Sequence, residues 1–592
     1  MHGVVLHGHF YQPPREHPWL EQVERETSAF PDPDWNARIT RECYTPLAAM
    51  PLLDADDRVE RVINAYAHMS FNIGPTLLEW LEREAPATWE AMRAGDAASV
   101  RRHGGHGNAI ATPYHHIILP LASRRDKITE VRWGIADFRR RFGREPEGFW
   151  LPECAVDEET LEVLALEGIR FTILAPWQVA EQDPHGLPLA WDAGGGRSII
   201  LCAYDGSLAG DVAFGQLVND DFALAQRIAA RAAHAGNDAT TLSFLATDGE
   251  TFGHHHRKGA ETLVRALARV SREPRLHLTN LAAWIAAHPP QRDAILQAPS
   301  AWSCAHGVGR WSRDCGCKAN ASAPTSQAWR TPLREAMNTL AALAHGHFER
   351  EGTALFGDDP WVVRDAYGAV VGLDGEASAE WVRARLASAD GDLVAARTLL
   401  ELERAVLRCF TSCAWFFDDA AGLEVIQVLR YAAYVLALSG RSTQWLPPFL
   451  SALAPARSNH GARESAADLF MRSVVPHLSP TARVAAGAVV RAHIEGAPLP
   501  QQRRIGALDV AVSHDEVAVV HRRTGRTTSW RTDRLSAGGV TLCGGPHGAT
   551  SRLTLSTRDL AQADALAIAA QHATGSLTST EPAEATVASA TP

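Results

Sequence analysis

Two carboxylates in this sequence each follow a short apolar run. Glu153 ends the stretch Gly-Phe-Trp-Leu-Pro-Glu at 148–153, and Asp248 follows the stretch Leu-Ser-Phe-Leu-Ala-Thr at 242–247. Such runs are typical of buried strands, so each carboxylate is expected at the end of a strand. A pair of carboxylates held close together can cleave or transfer a glycosidic bond. Glu153 and Asp248 are therefore the candidate reactive pair.

Each carboxylate also has a purely structural interpretation. Glu153 precedes the acidic start of a predicted helix, where negative charge is favourable, and Asp248 opens an Asp-Gly pair, which is a common turn signal. The surroundings favour chemistry instead. Trp150 offers an aromatic platform beside Glu153, and Glu250 and His254 follow Asp248 closely.

Two further stretches are rich in imidazole and amide groups. His7 and His9 follow the first predicted strand, point to the same side of the chain and are followed by Gln12. His106 and Asn108 lie among glycines, which allow backbone to approach a ligand. All five side chains can hydrogen-bond sugar hydroxyls, and the first two imidazoles can also bind a metal. The structural alternatives are a polar strand-to-loop bend and an ordinary surface loop.

The composition excludes several classes of function. A net charge of −11 over 592 residues argues against a nucleic-acid surface, which needs clustered Lys and Arg. No apolar run is long enough for a membrane span, and no signal-peptide pattern begins the chain, so a cytoplasmic protein is predicted. The nine cysteines are then expected to be thiols or metal ligands. A carbohydrate substrate, without nucleic acid or membrane, is the predicted partner.

Short apolar runs alternate with helix-like segments from residue 2 to about 290, which is typical of a parallel sheet covered by helices. The predicted strands are 4–6, 59–66, 148–151, 171–174, 199–204, 242–246 and 276–278. The predicted helices are 76–84, 125–142, 158–167, 220–233 and 260–270. About seven strands without a Gly-x-Gly-x-x-Gly turn favour a barrel or incomplete barrel over a dinucleotide-binding sheet. Reactive groups of such barrels lie where strands end, so the candidate residues are expected at one mouth.

The remainder of the chain divides by composition and periodicity. Helical periodicity dominates the part after the barrel, strand-like pieces follow it, and the last residues are rich in Ala, Ser, Thr, Pro and Glu without an apolar face. The predicted divisions are a barrel at 1–290, a Cys- and Trp-rich connection at 291–331, a helical domain at 332–500, a small β-rich region at 501–573 and a disordered tail at 574–592.

The connection contains a compact set of soft ligands. Cys304 and His306 are followed by Cys315 and Cys317, and three thiols with one imidazole are a suitable ligand set for zinc. The single residue between paired cysteines differs from the two found in common zinc ribbons. Two interpretations stay open, a structural zinc site and reduced thiols in a packed loop near the active mouth.

Four stretches of the chain together resemble the signature regions of glycoside hydrolase family 57, in that family's order. They are His7-Gly-His9-Phe-Tyr-Gln12-Pro13-Pro14, Gly105-His106-Gly107-Asn108, Gly148-Phe-Trp150-Leu-Pro-Glu153 and Asp248-Gly-Glu250-Thr-Phe252-Gly253-His254. The resemblance implies an incomplete (β/α)7 barrel followed by a helical segment, and mainly α-glucan substrates.

The resemblance also implies roles for individual residues. Glu153 is implied as nucleophile and Asp248 as general acid/base, with retention of configuration and no metal in the chemistry. For these roles the two carboxyl groups should lie about 5 to 5.5 Å apart. The residues that bind sugar beside the cleavage point would be His7, His9, Gln12, His106, Asn108 and Trp150. Glu250 with His254 would orient Asp248.

Two later stretches, 303–317 and 411–419, are similar to an uncharacterised branch associated with the same family, so hydrolysis, glucan transfer and branching all stay open. Trp302 and Arg310, at the first of these stretches, are expected to contact sugar. Trp415 and Phe416 in the second could cap the cleft, although core packing is the expectation for aromatics at that spacing.

Two other classes of function also stay open. One is a metal-dependent carbohydrate deacetylase or mannosidase on a related barrel, in which His and Asp hold a metal. The His-Gly-His end of the first strand differs from the Thr-Phe-Asp-Asp motif expected there. The other class is a non-catalytic glycan-binding protein that keeps the barrel.

Overall fold

The computed structural model describes residues 2–573 except 55, 57, 235–239, 374, 461–463, 476–479, 497, 537–538, 546–550 and 557–558. The first part of the chain is built on parallel strands. Its strands are β1 (His2–Phe10), β2 (Met50–Leu53), β3 (Val59–Ile63), β4 (Ser70–Ile73), β5 (Gly148–Phe149), β6 (Phe171–Leu174), β7 (Leu189–Gly194), β8 (Arg197–Ala203), β9 (Thr241–Asp248) and β10 (Leu276–Leu278).

The parallel strands form a continuous layer in which β1 lies next to β9, the first strand of the layer. β9 pairs with one edge of β1. On the other edge, β10 pairs with the first residues of β1 and β4 pairs with its last residues. Residues 109–111 continue the layer through the parallel bridges Phe71–Ala109 and Ala111–Phe149. β5, β6 and β8 follow in parallel, and β7 folds back on β8 as a hairpin.

Helices cover this layer because their apolar faces need a partner surface. The helices of this part are Trp35–Ile39, Thr45–Ala48, Pro75–Glu84, Pro86–Arg102, Arg124–Phe142, Glu158–Leu166, Gly206–Ala213, Asp221–His234, Gly259–Val270 and Leu281–Ala287. Strands and helices share one apolar core, to which β1 contributes Val4, Val5, Leu6 and Phe10. The predicted α/β class is the observed one.

Two of the predicted strands differ from the observed ones in ways that affect the candidate site. The segment 59–66 was expected in the parallel sheet, but β3 forms an antiparallel hairpin with β2, and its residues are largely exposed. The sheet strand there is β4, which the pattern missed because it has only four residues and contains Ser70 and Asn72. β1 also runs on through His7 and His9, which therefore lie within the strand rather than after it.

The second part of the chain is helical. Its helices are Arg330–Leu355, Pro360–Ala366, Glu376–Arg383, Leu393–Arg408, Cys413–Phe416, Leu423–Ser439, Ser442–Leu453, Ala466–Leu469 and Pro480–Ile494. Most of them surround a second apolar core, which includes Leu400, Val428 and the fully buried Trp415. Core packing of Trp415, the expected alternative to a cleft cap, is what the structure has.

A six-stranded antiparallel meander follows the helices. It consists of β11 (Gln501–Ile505), β12 (Leu508–Val512), β13 (Glu516–His521), β14 (Thr527–Ser536), β15 (Gly539–Gly544) and β16 (Arg552–Ser556), paired in sequence order. A helix that was not predicted, Gln562–Ala573, comes next. The predicted disordered tail at 574–592 lies outside the described residues.

The last helix before the meander belongs to the meander's core. Val484 and Val489 of helix Pro480–Ile494 are buried with Leu508 and Trp530 of the sheet. The predicted boundary at 500 assigned this helix to the helical domain. Helical periodicity shows which face of a helix is buried, but not which core receives it.

The segment after β1 joins all three parts. The carboxylate of Glu21 accepts hydrogen bonds from Arg404 of the helical domain, at 2.6 Å, and from Arg523 of the meander, at 2.8 Å. The backbone oxygen of Leu20 accepts from the Ala507 amide. The described residues include no helix long and apolar enough to cross a membrane.

Candidate active site

Glu153 and Asp248 follow parallel strands at the same end of the layer. Glu153 lies in the short 3-10 turn Pro152–Cys154 after β5, and Asp248 is the last residue of β9. Glu153 has φ 60 and Cys154 has φ 47, in the left-handed region that side chains other than glycine rarely adopt. The surrounding structure must hold this backbone, and such conformations concentrate at functional sites.

A loop of the connection supplies hydrogen-bond donors to Glu153. The Trp302 indole Nε1 donates to Glu153 Oε2 at 3.0 Å, and the Ser303 hydroxyl donates to the same oxygen at 2.6 Å. The Trp302 amide donates to the Glu153 carbonyl at 2.8 Å. The carboxylate therefore has a fixed orientation.

The electrostatic environments of the two carboxylates differ. Burial raises the pKa of Glu153, while hydrogen bonds from Ser303 and Trp302 and the charge of Arg310 oppose that rise. The protein around Asp248 removes much of its solvation and, together with the negative charge of Glu153, raises its pKa to about 7. One side of the Asp248 side chain still faces solvent. The two groups lie within electrostatic range of each other, and Asp248 loses its proton as the pH rises through about 7.

Stacked rings line the floor of the mouth. The His9 ring stacks on Trp150 with centroids 4.6 Å apart, and His7 stacks on the same indole at 5.1 Å. The His116 ring stacks on Tyr11 with centroids 3.6 Å apart. The Nε2 atom of His116 lies 3.2 Å from Nε2 of His9. In the strand register His9 lies directly beside Asp248.

Both strand histidines are fixed by their neighbours. His7 bonds Ser70 through Nδ1 and Asn72 through Nε2, and Nδ1 of His9 also bonds Asn72. Burial lowers the pKa of each imidazole to about 3, so both are neutral at ordinary pH. The predicted His7, His9 and Trp150 thus come together in a rigid, uncharged and buried stack beneath the mouth.

Glu250 and His254 are directed elsewhere than predicted. The Glu250 carboxylate is buried and accepts hydrogen bonds from the Tyr11 amide at 3.1 Å and the Tyr44 hydroxyl at 2.5 Å. Burial, with the charge of Asp248, raises its pKa to about 8 against these two donors. The His254 imidazole instead pairs with Glu42 at 2.7 Å. The expected hydrogen bonding of both side chains to Asp248 is therefore corrected.

His106 and Asn108 lie at the opposite end of the strand layer. They precede the strand piece that starts at 109, whereas Glu153 and Asp248 follow their strands. Nδ1 of His106 lies 3.0 Å from the carboxylate of Glu147, which immediately precedes β5. The prediction that both residues bind sugar beside the cleavage point is corrected. Both residues are far from the mouth because they precede a strand, and the motif does not show whether its residues precede or follow a strand.

The Asn108 amide has structural partners. Its Nδ2 donates to the Tyr66 carbonyl, and its Oδ1 accepts from Asn280, both at 3.0 Å. Asn280 in turn caps helix Leu281–Ala287. Asn108 therefore fastens two loops at the start of the strands.

Gln12 and Arg310 support the mouth from below its surface. Gln12 is buried, and its side-chain amide donates to the Tyr11 carbonyl at 3.0 Å. The Arg310 guanidinium is buried over the ring of Phe416 at 4.4 Å and donates to the Lys318 carbonyl. Arg310 acts on Glu153 through its charge, and Phe416 packs under it rather than capping the cleft.

Several residues of the mouth were not among the predicted site residues. Ser303 stands in the stretch 303–317 already singled out, so its sequence neighbourhood was a usable signal, whereas His116 lies outside the quoted motifs. Ser412 of the helical domain bonds His116 Nδ1 at 2.8 Å, and Thr411 bonds the Tyr11 hydroxyl at 2.9 Å. These contacts join residues about 300 to 400 positions apart, and no local pattern predicts them.

The Cys-rich loop lies directly beside the mouth. Cys304 follows Ser303, and the ligand atoms of Cys304, His306, Cys315 and Cys317 all lie within 4.8 Å of one another. The four side chains therefore lie close enough together to share one metal ion, and the two interpretations drawn from the sequence both remain predictions.

Two family models match this chain in succession. Glycosyl hydrolase family 57 matches residues 5–294, and a domain of unknown function, DUF3536, matches residues 326–578. The first match covers the parallel strand layer and both carboxylates. The second covers the helical domain and the meander.

Relatives match shorter stretches of the chain. An α-amylase of Pyrococcus horikoshii is 22% identical over 188 residues, which are 31% of this chain and 28% of the relative. A 1,4-α-glucan branching enzyme of Thermococcus kodakarensis is 33% identical over 70 residues, which are 11% of this chain and 10% of the relative. The matched stretches thus span less than a third of either relative's length.

One solved structure is similar over most of the chain. It is an exo-type maltose-forming amylase from Pyrococcus sp. ST04, with a TM-score of 0.58 and 15% identity over 77% of this chain and 83% of that one. At this identity the likeness shows the fold alone, and its coverage extends beyond the parallel α/β part.

Proposed function

We propose, because residues 5–294 match the model of glycosyl hydrolase family 57, that the chain is a retaining enzyme acting on α-glucans. It would be a hydrolase or a glucanotransferase that works by double displacement. We also propose that the parallel strands, with the strand piece at 109–111, form an incomplete (β/α)7 barrel whose mouth is the active site.

Glu153 and Asp248 divide the first step between them. An oxygen of the Glu153 carboxylate attacks the anomeric carbon, while Asp248 gives its proton to the leaving glycosidic oxygen. The glycosidic bond breaks and an ester bond forms between the sugar and Glu153.

The second step reverses the roles of acid and base. Asp248, now ionised, takes a proton from water or from an acceptor hydroxyl, and the oxygen of that acceptor displaces Glu153 from the anomeric carbon. Two inversions restore the original configuration. Water as acceptor gives hydrolysis, and a sugar hydroxyl gives transfer.

The observation that carries this proposal is the difference between the two carboxylates. Glu153 is oriented by two donors on one oxygen, and these donors stabilise its charged form. Asp248 has a pKa raised to about 7 and can keep its proton until the leaving group needs it. Environments that separate two carboxyl groups in this way assign nucleophile and acid.

The stacked rings of the mouth fit a neutral sugar. Tyr11 and Trp302 are partly exposed, and His9, His116 and Trp150 are buried behind them, so the wall consists of flat rings without an ionised group, which suits the C–H faces and hydroxyls of a glucose unit. The predicted Trp302 meets Trp150 edge to face at 5.1 Å, close to Glu153. We assign this surface to the sugar whose anomeric carbon is attacked.

The metal-dependent alternative fits this mouth less well. The ring nitrogens of His7 and His9 bond Ser70, Asn72 and His116, so the two imidazoles are committed to the strand layer. A deacetylase would also leave glycosidic bonds intact and release acetate. Acetate release therefore identifies a deacetylase, and cleavage of mannosides rather than of α-glucans identifies a mannosidase.

The test is to incubate the full chain with maltooligosaccharides, glycogen and branched glucans and to determine the configuration of the first product by NMR. The expected product has the α configuration. A fluorinated glucosyl fluoride, which slows the second step, should leave a sugar ester on Glu153 that peptide mass spectrometry locates. An inverted product, or an ester on another residue, would overturn the assignment.

A further inference from the structure

We infer that Cys304, His306, Cys315 and Cys317 bind a structural zinc ion, which fastens the loop that orients Glu153. Three thiolate sulfurs and one imidazole nitrogen form a closed ligand set of the kind found in structural zinc sites. The four side chains come from two short pieces of one loop, and their ligand atoms converge within 4.8 Å.

The distances between ligand atoms match a tetrahedral zinc centre. Zinc bonds sulfur at about 2.3 Å and imidazole nitrogen at about 2.0 to 2.1 Å, so a tetrahedron places two sulfurs about 3.8 Å apart and sulfur and nitrogen about 3.5 Å apart. The Sγ atom of Cys304 lies 3.9 Å from that of Cys315 and 3.8 Å from that of Cys317. The Sγ atom of Cys317 lies 3.5 Å from Nδ1 of His306.

The backbone of the loop is shaped to turn both ligand pairs inward. Gly316 between Cys315 and Cys317 has φ 80, and Gly307 after His306 has φ 74. Side chains other than glycine rarely adopt this conformation. A Cys-Gly-Cys turn thus replaces the two-residue spacer of common zinc ribbons, which removes the objection that the sequence spacing raised.

A disulfide accounts for the cluster less well. A bonded pair of sulfurs lies about 2.05 Å apart, and all nine cysteines of the chain are free thiols. A disulfide would also leave one thiol and the imidazole without a shared partner. The convergence of all four ligand atoms is the feature that zinc explains.

The proposed zinc site is continuous with the active site. Cys304 follows Ser303, whose hydroxyl donates to Glu153. On the far side, the Cys317 carbonyl accepts a hydrogen bond from Arg330 of the helical domain at 2.8 Å. The site thus ties the donors of Glu153 to the helical domain. This coupling to catalysis rests on the proposed function, whereas zinc binding does not.

The primary test measures metal rather than activity. Full-length protein, expressed with added zinc and purified without chelator, should contain about one zinc per chain by mass spectrometry of the metal. Cys317→Ser and His306→Ala should each lose most of it. Matched controls are Cys543→Ser, in β15 of the meander, and His460→Ala, whose side chain is 78% exposed. Both controls should keep the zinc content of the wild type.

A second measurement uses the wild type, so its result does not depend on whether the variants fold. Titrating the wild type with a mercurial thiol reagent should release zinc in step with loss of the cluster thiols. Less than about a tenth of a zinc per chain, full zinc in both cluster variants, or a cluster disulfide in peptide maps would overturn the proposal. None of these outcomes depends on glycosidase activity.

The coupling to the mouth has its own readout. In zinc-free protein with unchanged circular dichroism, turnover of an α-glucan should fall at least tenfold, and added zinc should restore it. Unchanged turnover after complete zinc removal would overturn the coupling. Absence of turnover in the zinc-loaded wild type would count against the proposed function and not against the metal site.

Discussion

The two ends of the parallel strand layer carry similar residue types but have different roles, one as the candidate active site and the other structural. At the end where strands finish, Glu153 lies beside Trp302, and His9 stacks on Trp150. At the end where strands begin, His106 pairs with Glu147. Both ends combine imidazole and carboxylate, and both lie in stretches with the appearance of a signature motif.

The difference lies in what surrounds each carboxylate. Glu147 is shared between His106 and Arg170, at 3.0 and 2.6 Å, and is neutralised as in an ordinary ion-pair network. At the mouth, Glu153 has neutral donors, and Asp248 shares its surroundings with a second carboxylate rather than with a cation. Carboxylates without a paired cation in a cleft are suited to catalysis, whereas carboxylates paired with cations are suited to holding loops together.

Substitution of the two catalytic candidates should produce the largest effect. Glu153→Gln keeps the shape of the side chain but removes the attacking oxygen, so kcat/KM on an α-glucan should fall by about 10³-fold or more. Asp248→Asn should cost about 10²- to 10⁴-fold through loss of the general acid. Steady-state kinetics with reducing-end detection measures both.

A small anion separates the two roles. Azide needs no general base, so it should partly restore the second step in Asp248→Asn and give a glycosyl azide of retained configuration, whereas any azide product of Glu153→Gln, in which azide takes the place of the nucleophile in a single displacement, should be inverted. An inverted glycosyl azide from Asp248→Asn, or losses below about tenfold in either variant, would contradict the assignment of the mouth.

The pH dependence should reveal the proton on Asp248. Its folded pKa is raised to about 7, so the acid form required for the first step is lost as pH rises through 7, and kcat/KM should fall there. Glu250, with a pKa raised to about 8, titrates nearby. The control is Glu250→Gln, which keeps an oxygen to accept from Tyr44 and should keep the fall near 7. Disappearance of the alkaline limb in this variant would transfer the titration to Glu250.

Loss of one donor to Glu153 should have an intermediate effect. Ser303→Ala removes a charge-assisted hydrogen bond worth about 1.5 to 3 kcal/mol, so kcat/KM should fall about 10- to 100-fold. Because the hydroxyl opposes the rise of the Glu153 pKa, the acid limb of the profile should also move to higher pH. The matched control is Ser300→Ala, whose hydroxyl bonds Gln178 instead. An unmoved acid limb in Ser303→Ala would show that the hydroxyl does not tune the nucleophile.

The sequence was informative where local patterns determine structure. β6 and β10 were predicted with their observed bounds, and helix Arg124–Phe142 within one residue, because apolar periodicity and a glycine at its end mark it. The carboxylates at the ends of β5 and β9 followed from the same kind of pattern. The short strand β4 did not, since Ser70 and Asn72 interrupt its apolar character.

The sequence was least informative about contacts between distant segments. Ser412 reaches His116, and Arg404 reaches Glu21, across hundreds of residues, and such pairs depend on how the domains pack. The wrong placement of His106 has the same origin. The motif that contains His106 is local. The end of the strand layer at which His106 lies is determined by how residues 109–111 pair with β4 and β5.

The smallest effect is expected at the end where strands begin. His106→Ala removes a partly exposed contact between the imidazole and the carboxylate of Glu147, which should lower the free energy of unfolding by about 0 to 1 kcal/mol. Because this side chain lies before the strands and not at the mouth, kcat/KM should stay within about twofold of the wild type. Urea unfolding and α-glucan kinetics on the same preparation measure the two quantities.

His116→Ala is the matched histidine change at the mouth. It removes the ring stacked on Tyr11 and the partner of His9, and should lower kcat/KM by about tenfold or more, since an aromatic contact and a hydrogen bond are each worth about 1 kcal/mol. A His106 variant that lost activity as steeply as the His116 variant, at unchanged stability, would mean that the ligand reaches both ends of the layer. The opposite ranking of the two variants would place the sugar at the end where strands begin.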